Sequence, residues 1–232
     1  MSGAVLVLGA TGGVGQAVTR LLDEQGYTVI GSCRTAAQAR TLKAAGCTHN
    51  IRLSLDKSAS IDAGFAQLDA LGIDQLAGLV NCAAVTQPRP LELSSLDEVR
   101  RTFEINLFGA LRAVQLALPL LRPAQGRVVF VSSTSGSLGV PLLGSYSASK
   151  FALEALADVL RRELAPWKLG VSLVIPGGTR TPMIAAQYAE IDADLQQLEG
   201  PHAEVYAHQY RQHPGLIELA EKSAVAPERV AA

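Results

Sequence analysis

Cysteine is scarce in this chain: Cys33, Cys47 and Cys82 are the only three among 232 residues, widely spaced and without a C-x-x-C pair. That excludes a disulfide-stapled scaffold and a zinc ribbon, and it suits a reducing cytoplasm. Charge of one sign is lacking too. Twenty Lys+Arg stand against 21 Asp+Glu, a formal net charge of -1, so nothing in the balance favours phosphate backbones or anionic lipid, and neither nucleic acid nor a membrane is expected as a partner. No uninterrupted apolar run approaches the ~18 residues of a membrane span. The N-terminal run Ala4-Val5-Leu6-Val7-Leu8 has no basic residue before it and leads straight into glycines, unlike a signal peptide. Internal repeats and low-complexity tracts are absent as well. The four histidines, His49, His202, His208 and His213, lack metal-type spacing, so they read as solvated side chains and no metal is assigned.

What is present is a hydrophobic share of 48% with 18% charged residues, enough over this length to bury the core of one α/β domain spanning residues 1–232. Short apolar runs at 4–8, 27–30, 78–80, 127–131 and 171–175, with a weaker one at 50–55, read as buried parallel strands. Between them, residues 15–25, 36–45, 96–121 and 147–167 have helical period. Such alternation predicts right-handed βαβ units and a three-layer α/β/α, Rossmann-like, doubly wound parallel sheet. Residues 184–212 turn polar, with Tyr and Gln and no strand pattern, and are expected to cover a substrate site. At Pro227-Glu228-Arg229-Val230-Ala231-Ala232 a helix opens without being completed, so the native chain is expected to continue into a helix and a further edge strand.

The first strand runs into Gly9-Ala10-Thr11-Gly12-Gly13-Val14-Gly15 and then a helix. Glycines there let backbone approach a pyrophosphate, and the helix start offers free N–H groups. The spacing fits G-x-x-x-G-x-G and G-x-x-G-x-x-G alike, and a purely structural βα turn is the competing reading. Farther on, Ser133 follows the strand at 127–131, and Tyr146 and Lys150 stand four residues apart, about one helical turn on one face. An ordinary phenol has a pKa near 10, and a neighbouring ammonium would lower it enough to exchange a proton. Alone, a Tyr-x-x-x-Lys pair is usually surface packing; Ser133 and the glycine turn reverse that judgement.

Taken in order, these residues resemble the short-chain dehydrogenase/reductase family, in its single-domain branch. Gly9, Gly13 and Gly15 match its cofactor turn, Asn81-Cys82-Ala83-Ala84 stands where the family has N-N-A-G, and Asn106 matches its helical catalytic Asn. Ser133, Tyr146 and Lys150 complete the tetrad, and Pro176-Gly177-Gly178-Thr179-Arg180-Thr181 matches the loop whose Thr approaches the nicotinamide carboxamide. The resemblance implies Tyr146 as general acid/base, Ser133 as polariser of the substrate oxygen, Lys150 as the group that lowers the Tyr pKa and holds the nicotinamide ribose, and Asn106 as anchor of a relay water. Cofactor contacts are implied for Gly9, Thr11, Gly12, Gly13, Val14, Gly15, Arg34, Asn81, Ala83, Tyr146, Lys150, Pro176, Gly177, Thr179 and Thr181. Asn81 also reads as a strand-end Asn satisfying backbone, and Thr181 as the cap of the helix that Pro182 opens. Ser54 replaces an Asp that contacts adenine in many members.

The function implied is hydride transfer between a nicotinamide cofactor and a small-molecule secondary alcohol, ketone or aldehyde. A non-catalytic NAD(P)-sensing module of the same fold is the alternative, and the retained Tyr and Lys speak against it. The extended branch of nucleotide-sugar epimerases and dehydratases is disfavoured because only about 50 residues follow Thr181. Cys33 at the end of the second strand cannot accept strongly from a ribose hydroxyl, and Arg34 beside it is suited to a 2'-phosphate, so NADP is expected over NAD. Lipophilic alcohols and ketones are the expected substrates. The 96–121 helix is apolar on more than one face, which together with the resemblance predicts a homodimer or homotetramer.

Overall fold

A computed structural model describes residues 3–222 and 224–232, without the side chains of His202 and residues 213–221. In chain order the elements are β1 (Ala4–Leu8), α1 (Gly13–Glu24), β2 (Thr28–Cys33), α2 (Ala36–Ala44), β3 (His49–Arg52), α3 (Ser58–Ala70), β4 (Gly78–Asn81), α4 (Leu96–Phe103), a π-helical turn (Glu104–Phe108), α5 (Gly109–Ala124), β5 (Arg127–Val131), α6 (Gly144–Leu164), β6 (Gly170–Val174), α7 (Pro182–Gln197), α8 (Pro201–Lys222) and α9 (Pro227–Ala231). All strand pairs are parallel, in the order β3-β2-β1-β4-β5-β6. The order reverses between β1 and β4, which is where doubly wound sheets open a ligand crevice.

The alternating faces of each strand feed two cores. Val5, Val7, Val29 and Cys33 pack under α1 and α2 with Val18 and Leu42. Leu6, Leu8, Ile30, Ile51, Val128 and Phe130 face the other way, onto α3, α5 and α6 through Phe65, Leu68, Ala113, Val114, Leu121, Leu153 and Leu160. A third, smaller cluster around Leu142, Ile191 and Tyr210 seats α7 and α8 over the open end of the sheet. Capping boxes start α2 and α4: Thr35 and Gln38, then Ser95 and Glu98, exchange side-chain and backbone bonds.

Several elements differ from their sequence outlines for physical reasons. The third strand stops at Arg52; the Leu53 N–H still donates to Cys33 O at 3.0 Å, and beyond it the chain leaves the sheet, with Leu53 and Leu55 lining the cleft. The helix over 58–70 was not among the segments read as helical, because small residues such as Ala59, Ala63 and Gly64 blur its stripe. Gly64 has to be small, since a Cβ there would lie 2.7 Å from that of Leu53. The segment read as one helix over 96–121 carries a π turn at Glu104–Phe108, a feature that recurs at functional sites. By length and composition the stretch Leu96–Ala124 would also cross a membrane, but Ala110, Ala113, Val114, Ala117 and Leu121 are buried against the sheet. The helix over 147–167 begins three residues early, at Gly144, so Tyr146 lies in its first turn. The side chains of His202 and His213 lie outside the described residues.

Candidate active site

The cleft sits at the carboxyl ends of the strands and encloses about 860 Å³. One end is the glycine turn. Gly9 has φ +68°, and a Cβ on it would lie 2.7 Å from the Ala83 backbone; a Cβ on Gly15 would lie 2.2 Å from the Gly9 carbonyl oxygen. Both positions therefore need glycine. The Gly12 N–H donates to Gly9 O at 3.0 Å and the Gly9 N–H to Ser32 Oγ at 3.0 Å, which ties the turn to β2. Gly12 is the N-cap of α1 and no side chain caps that helix, so its first N–H groups and positive dipole end face the cleft. Across the opening, a Cβ on Gly13 would meet Thr181 Cγ2 at 2.8 Å, so the 176–181 loop closes against the turn. Thr181 holds the N-cap position of α7 with Pro182 following, yet its hydroxyl makes no capping bond. This cradle fits a dinucleotide diphosphate.

At the far end of the cradle, Arg34 is exposed and its guanidinium is in no ion pair among the described residues. Its backbone N–H donates to Gln38 Oε1 at 2.8 Å. Beside it, Ser54 Oγ donates to Asp56 Oδ1 at 2.6 Å, a bond that holds the Asp56 carboxyl below its ordinary pKa. Asp56 is a residue that the sequence motifs leave unmarked, since Ser54 holds the position they align. A carboxylate two residues from the position where an acid is expected was the available signal.

The reacting groups come from β5 and α6. Ser133 follows β5 in extended backbone, its Oγ accepting from the Ser135 N–H at 3.2 Å. Its hydroxyl eases ionisation of the Tyr146 phenol. Lys150 is 1% exposed, donates from Nζ to Val131 O at 2.8 Å, and places that nitrogen 5.7 Å from the centroid of the Tyr146 ring. Burial pulls the Lys150 ammonium down to about 8, against opposing pulls from Cys82 and Glu154. Burial also pushes the Tyr146 phenol up, and the Ser133 hydroxyl only partly reverses this. The sequence predicts a lowered phenol; here burial is the larger influence and raises it.

Glu154, one turn beyond Lys150, is a further member that the sequence reading missed. It accepts from Ser132 Oγ at 2.7 Å, and a Cβ on Gly136 would lie 2.1 Å from its Oε1. The carboxylate thus straps the 132–136 turn, with Ser133 inside it, to the helix that carries Tyr146 and Lys150.

The structure brings together at the cleft wall Gly9, Thr11, Gly12, Gly13, Val14, Gly15, Arg34, Ala83, Ser133, Tyr146, Lys150, Pro176, Gly177, Thr179 and Thr181. Asn81 and Asn106 stand one layer behind. Asn81 accepts from the Ala83 N–H at 3.2 Å, and its buried Nδ2 meets no partner among the described residues. Asn106, in the π turn, accepts from the Val85 N–H at 2.8 Å and donates to Val85 O at 2.9 Å and Ser149 Oγ at 3.0 Å; Ser149 in turn donates to the Tyr146 carbonyl at 2.7 Å.

The remaining wall is apolar, with Leu138, Val140, Pro141 and Leu143 ahead of Tyr146 and Met183 and Ile184 from α7. Leu142 is held at φ +67° by the Arg89 N–H, which donates to its carbonyl at 2.7 Å, and by burial in the third cluster. A branched side chain in that region is strained and needs such support. The Arg89 side chain then forks onto Asp194 of α7, which also accepts from the Tyr210 hydroxyl of α8 at 3.0 Å, and reaches Glu98 at 3.2 Å. Arg89 thus ties the covering helices to the loop before α6, and Tyr206 of α8 adds a bond to Glu92.

A sequence profile described as short chain dehydrogenase matches residues 3–192. The chain is 37% identical over 185 residues to a 3-amino-tetrahydro-pyrrolizinone reductase of Xenorhabdus hominickii, covering 78% of this chain and 63% of that one. It is 28% identical to a 3-ketodihydrosphingosine reductase of Bacteroides thetaiotaomicron, covering 98% and 80%. Among solved structures it resembles a short-chain dehydrogenase from Streptomyces avermitilis at 29% identity, TM-score 0.79, covering 99% and 81% of the two chains. It also resembles an actinorhodin polyketide ketoreductase solved with NADPH, at 26% identity, TM-score 0.79, covering 99% and 87%. The strand order, the glycine cradle and the Ser133, Tyr146 and Lys150 constellation had already narrowed the possibilities to one lineage, and with a profile match across most of its length the chain belongs to the short-chain dehydrogenase/reductase family.

Proposed function

We propose that this protein is an NADP(H)-preferring oxidoreductase that reduces a ketone or aldehyde on a lipophilic small molecule to the alcohol. The observation that carries the proposal is the Ser133–Tyr146–Lys150 group, with Tyr146 and Lys150 buried, beside an uncapped, glycine-floored helix start. Bound nicotinamide dinucleotide supplies or accepts the hydride. The glycine turn and the first N–H groups of α1 would hold its diphosphate, Arg34 would pair with a 2'-phosphate, Ser54 and Asp56 would stand at the adenine, and Thr181 would offer its hydroxyl to the carboxamide.

Tyr146 donates its phenolic proton to the carbonyl oxygen as the carbonyl carbon gains hydride, and Ser133 donates a hydrogen bond to the same oxygen. A phenol whose pKa is not lowered stays protonated at neutral pH, as a proton donor to a carbonyl has to be. Lys150 holds the ribose hydroxyls, and its ammonium stabilises the phenolate left behind. The side-chain amide of Asn106 is committed to Val85 and Ser149, so Asn106 holds the floor under Tyr146, and the resemblance to the family assigns it the anchoring of a relay water. One similar protein is named as an NADPH-dependent reductase, which supports the cofactor; the similar proteins include both reductases and dehydrogenases. Exposed Phe108, Phe151 and Val159 on α5's approach and on α6 support a homodimer or homotetramer built on those helices.

The test is NADPH and NADH oxidation over a panel of aliphatic, aromatic and cyclic ketones and aldehydes. Turnover with NADPH favoured at least tenfold in kcat/KM is expected. Tight cofactor binding with no turnover across the panel would turn the assignment to a non-catalytic cofactor sensor.

A further inference from the structure

Tyr146, Lys150 and Glu154 follow at four-residue steps along α6 and so share one stripe of that helix. The second and third of them grip the chain as it leaves β5. Lys150 Nζ donates to Val131 O at 2.8 Å, and Glu154 Oε1 accepts from the next residue, Ser132 Oγ, at 2.7 Å. Ser133 comes directly after these two anchored residues. From the other side β6 and the loop beyond it hold the same backbone, the Ser132 N–H donating to Val174 O at 2.8 Å and the Thr134 N–H to Pro176 O at 3.1 Å. Of these four contacts only the one to Glu154 uses a side chain at both ends, and it can be removed while the reacting groups stay in place.

Gly136 keeps room for this carboxylate. It is buried, and a Cβ on it would lie 2.1 Å from Glu154 Oε1 and 2.9 Å from Ser132 Oγ. Its φ is outside the left-handed region, so contact and not backbone conformation demands glycine there. Glu154 itself is half-buried, enters no ion pair among the described residues and is no part of the cleft wall, which Ser132, Ser133, Tyr146 and Lys150 all line. A carboxylate in such a spot carries a desolvation cost that an apolar wedge would avoid. The Ser132 hydroxyl offsets that cost through a charge-assisted bond.

We propose that Glu154 is a positioning residue for proton transfer: through Ser132 it fixes where the neighbouring Ser133 hydroxyl stands against the reacting oxygen at Tyr146, and so governs kcat without touching substrate or cofactor. The inference rests on the reading of Ser133 and Tyr146 as the reacting pair. A displacement of about 1 Å in such a group costs on the order of a hundredfold in rate. The dinucleotide is held mainly at the glycine end of the cleft, so its binding does not respond to the loss of this bond.

The experiment compares Glu154→Ala, Glu154→Gln, Ser132→Ala and the Glu154→Ala/Ser132→Ala double variant with wild type, by kcat on a ketone that the wild type reduces and by NADPH Kd from fluorescence titration. Rates are expressed per NADPH-binding site, so unfolded protein drops out. Glu154→Ala is expected to lower kcat about thirtyfold or more, with the NADPH Kd within about threefold of wild type. Glu154→Gln, which keeps an acceptor for Ser132, should recover about tenfold of that loss. Ser132→Ala should slow the protein by an amount similar to Glu154→Ala, and the double variant should be no slower than either, because both substitutions remove one bond. A Glu154→Ala kcat within about threefold of wild type, an NADPH Kd weakened as much as kcat falls, losses that add in the double variant, or a Glu154→Gln protein as slow as Glu154→Ala overturns the proposal. If the wild type reduces no ketone, the reductase reading fails instead, and hydrogen–deuterium exchange of residues 132–138 in the NADPH-bound protein decides the positioning role. Equally faster exchange in Glu154→Ala, Ser132→Ala and the double variant supports it, and exchange at the wild-type rate overturns it.

Discussion

Replacing Lys150 by methionine is expected to abolish turnover and yet stabilise the cofactor-free protein near neutral pH. Lys150 is 1% exposed, and burial takes its ammonium from the ordinary 10.5 to about 8. That drop of about 2.5, at roughly 1.36 kcal/mol for each pKa unit, places the penalty for keeping the charge in the folded state at about 3 kcal/mol. Methionine fills a similar volume without charge. It forfeits the bond to Val131 O, worth about 1 kcal/mol, so the net gain at pH 7 is about 2 kcal/mol. The sign with pH follows from proton counting. Between about 8 and 10.5 the unfolded chain keeps a proton on this lysine that the folded chain has lost, so wild-type stability rises through that window, whereas the methionine variant lacks the effect. Below pH 8 the penalty is fully present. Urea unfolding of both proteins at pH 7 and pH 9.5 reads the difference directly, and the variant's advantage should shrink at the higher pH. A variant less stable than wild type at pH 7, or a difference that is the same at both pH values, would refute the reasoning.

Three further outcomes follow from other parts of the site. Gly15→Ala places a Cβ 2.2 Å from the Gly9 carbonyl oxygen; it should cost about 1–3 kcal/mol of stability and weaken NADPH binding at least tenfold, read by thermal unfolding and fluorescence titration. Arg34→Ala should raise the Kd for NADPH about tenfold and leave that for NADH nearly unchanged, since a phosphate contact of roughly 1.5 kcal/mol is removed. Burial raises all three thiols, Cys47 to about 11 and Cys82 to about 12, so iodoacetamide at pH 7.5 should label the native protein far more slowly than the unfolded chain, as followed by mass spectrometry.

Much of the fold was legible because burial on both sheet faces leaves near-continuous apolar runs, and β1, β2, β4, β5 and β6 were all found that way. The Ser133, Tyr146 and Lys150 group was legible because its members lie on one strand end and one helix, where local spacing carries the geometry. What escaped notice depends on long-range closure. Arg89 meets Asp194 across 105 positions, and no local pattern announces such a pair. The π turn at Asn106 was hidden inside a stretch whose composition reads as continuous helix. The direction of the Tyr146 shift was misjudged for a related reason: spacing shows that a lysine is near, but not that both groups lose water and that the lysine nitrogen is held by Val131 O.

The central claim is that Tyr146 moves the proton during hydride transfer while the rest of the cleft holds the cofactor. Tyr146→Phe tests it most directly, by steady-state turnover on a ketone reduced by the wild-type protein alongside titration with NADPH. Tyr146 is buried, so phenylalanine preserves the packing and removes the proton. A fall in kcat of at least a thousandfold with an NADPH Kd within about threefold of wild type is the expected result, in line with the ~10²–10⁴-fold that a positioned acid contributes. A Tyr146→Phe protein with near-normal kcat would contradict the account.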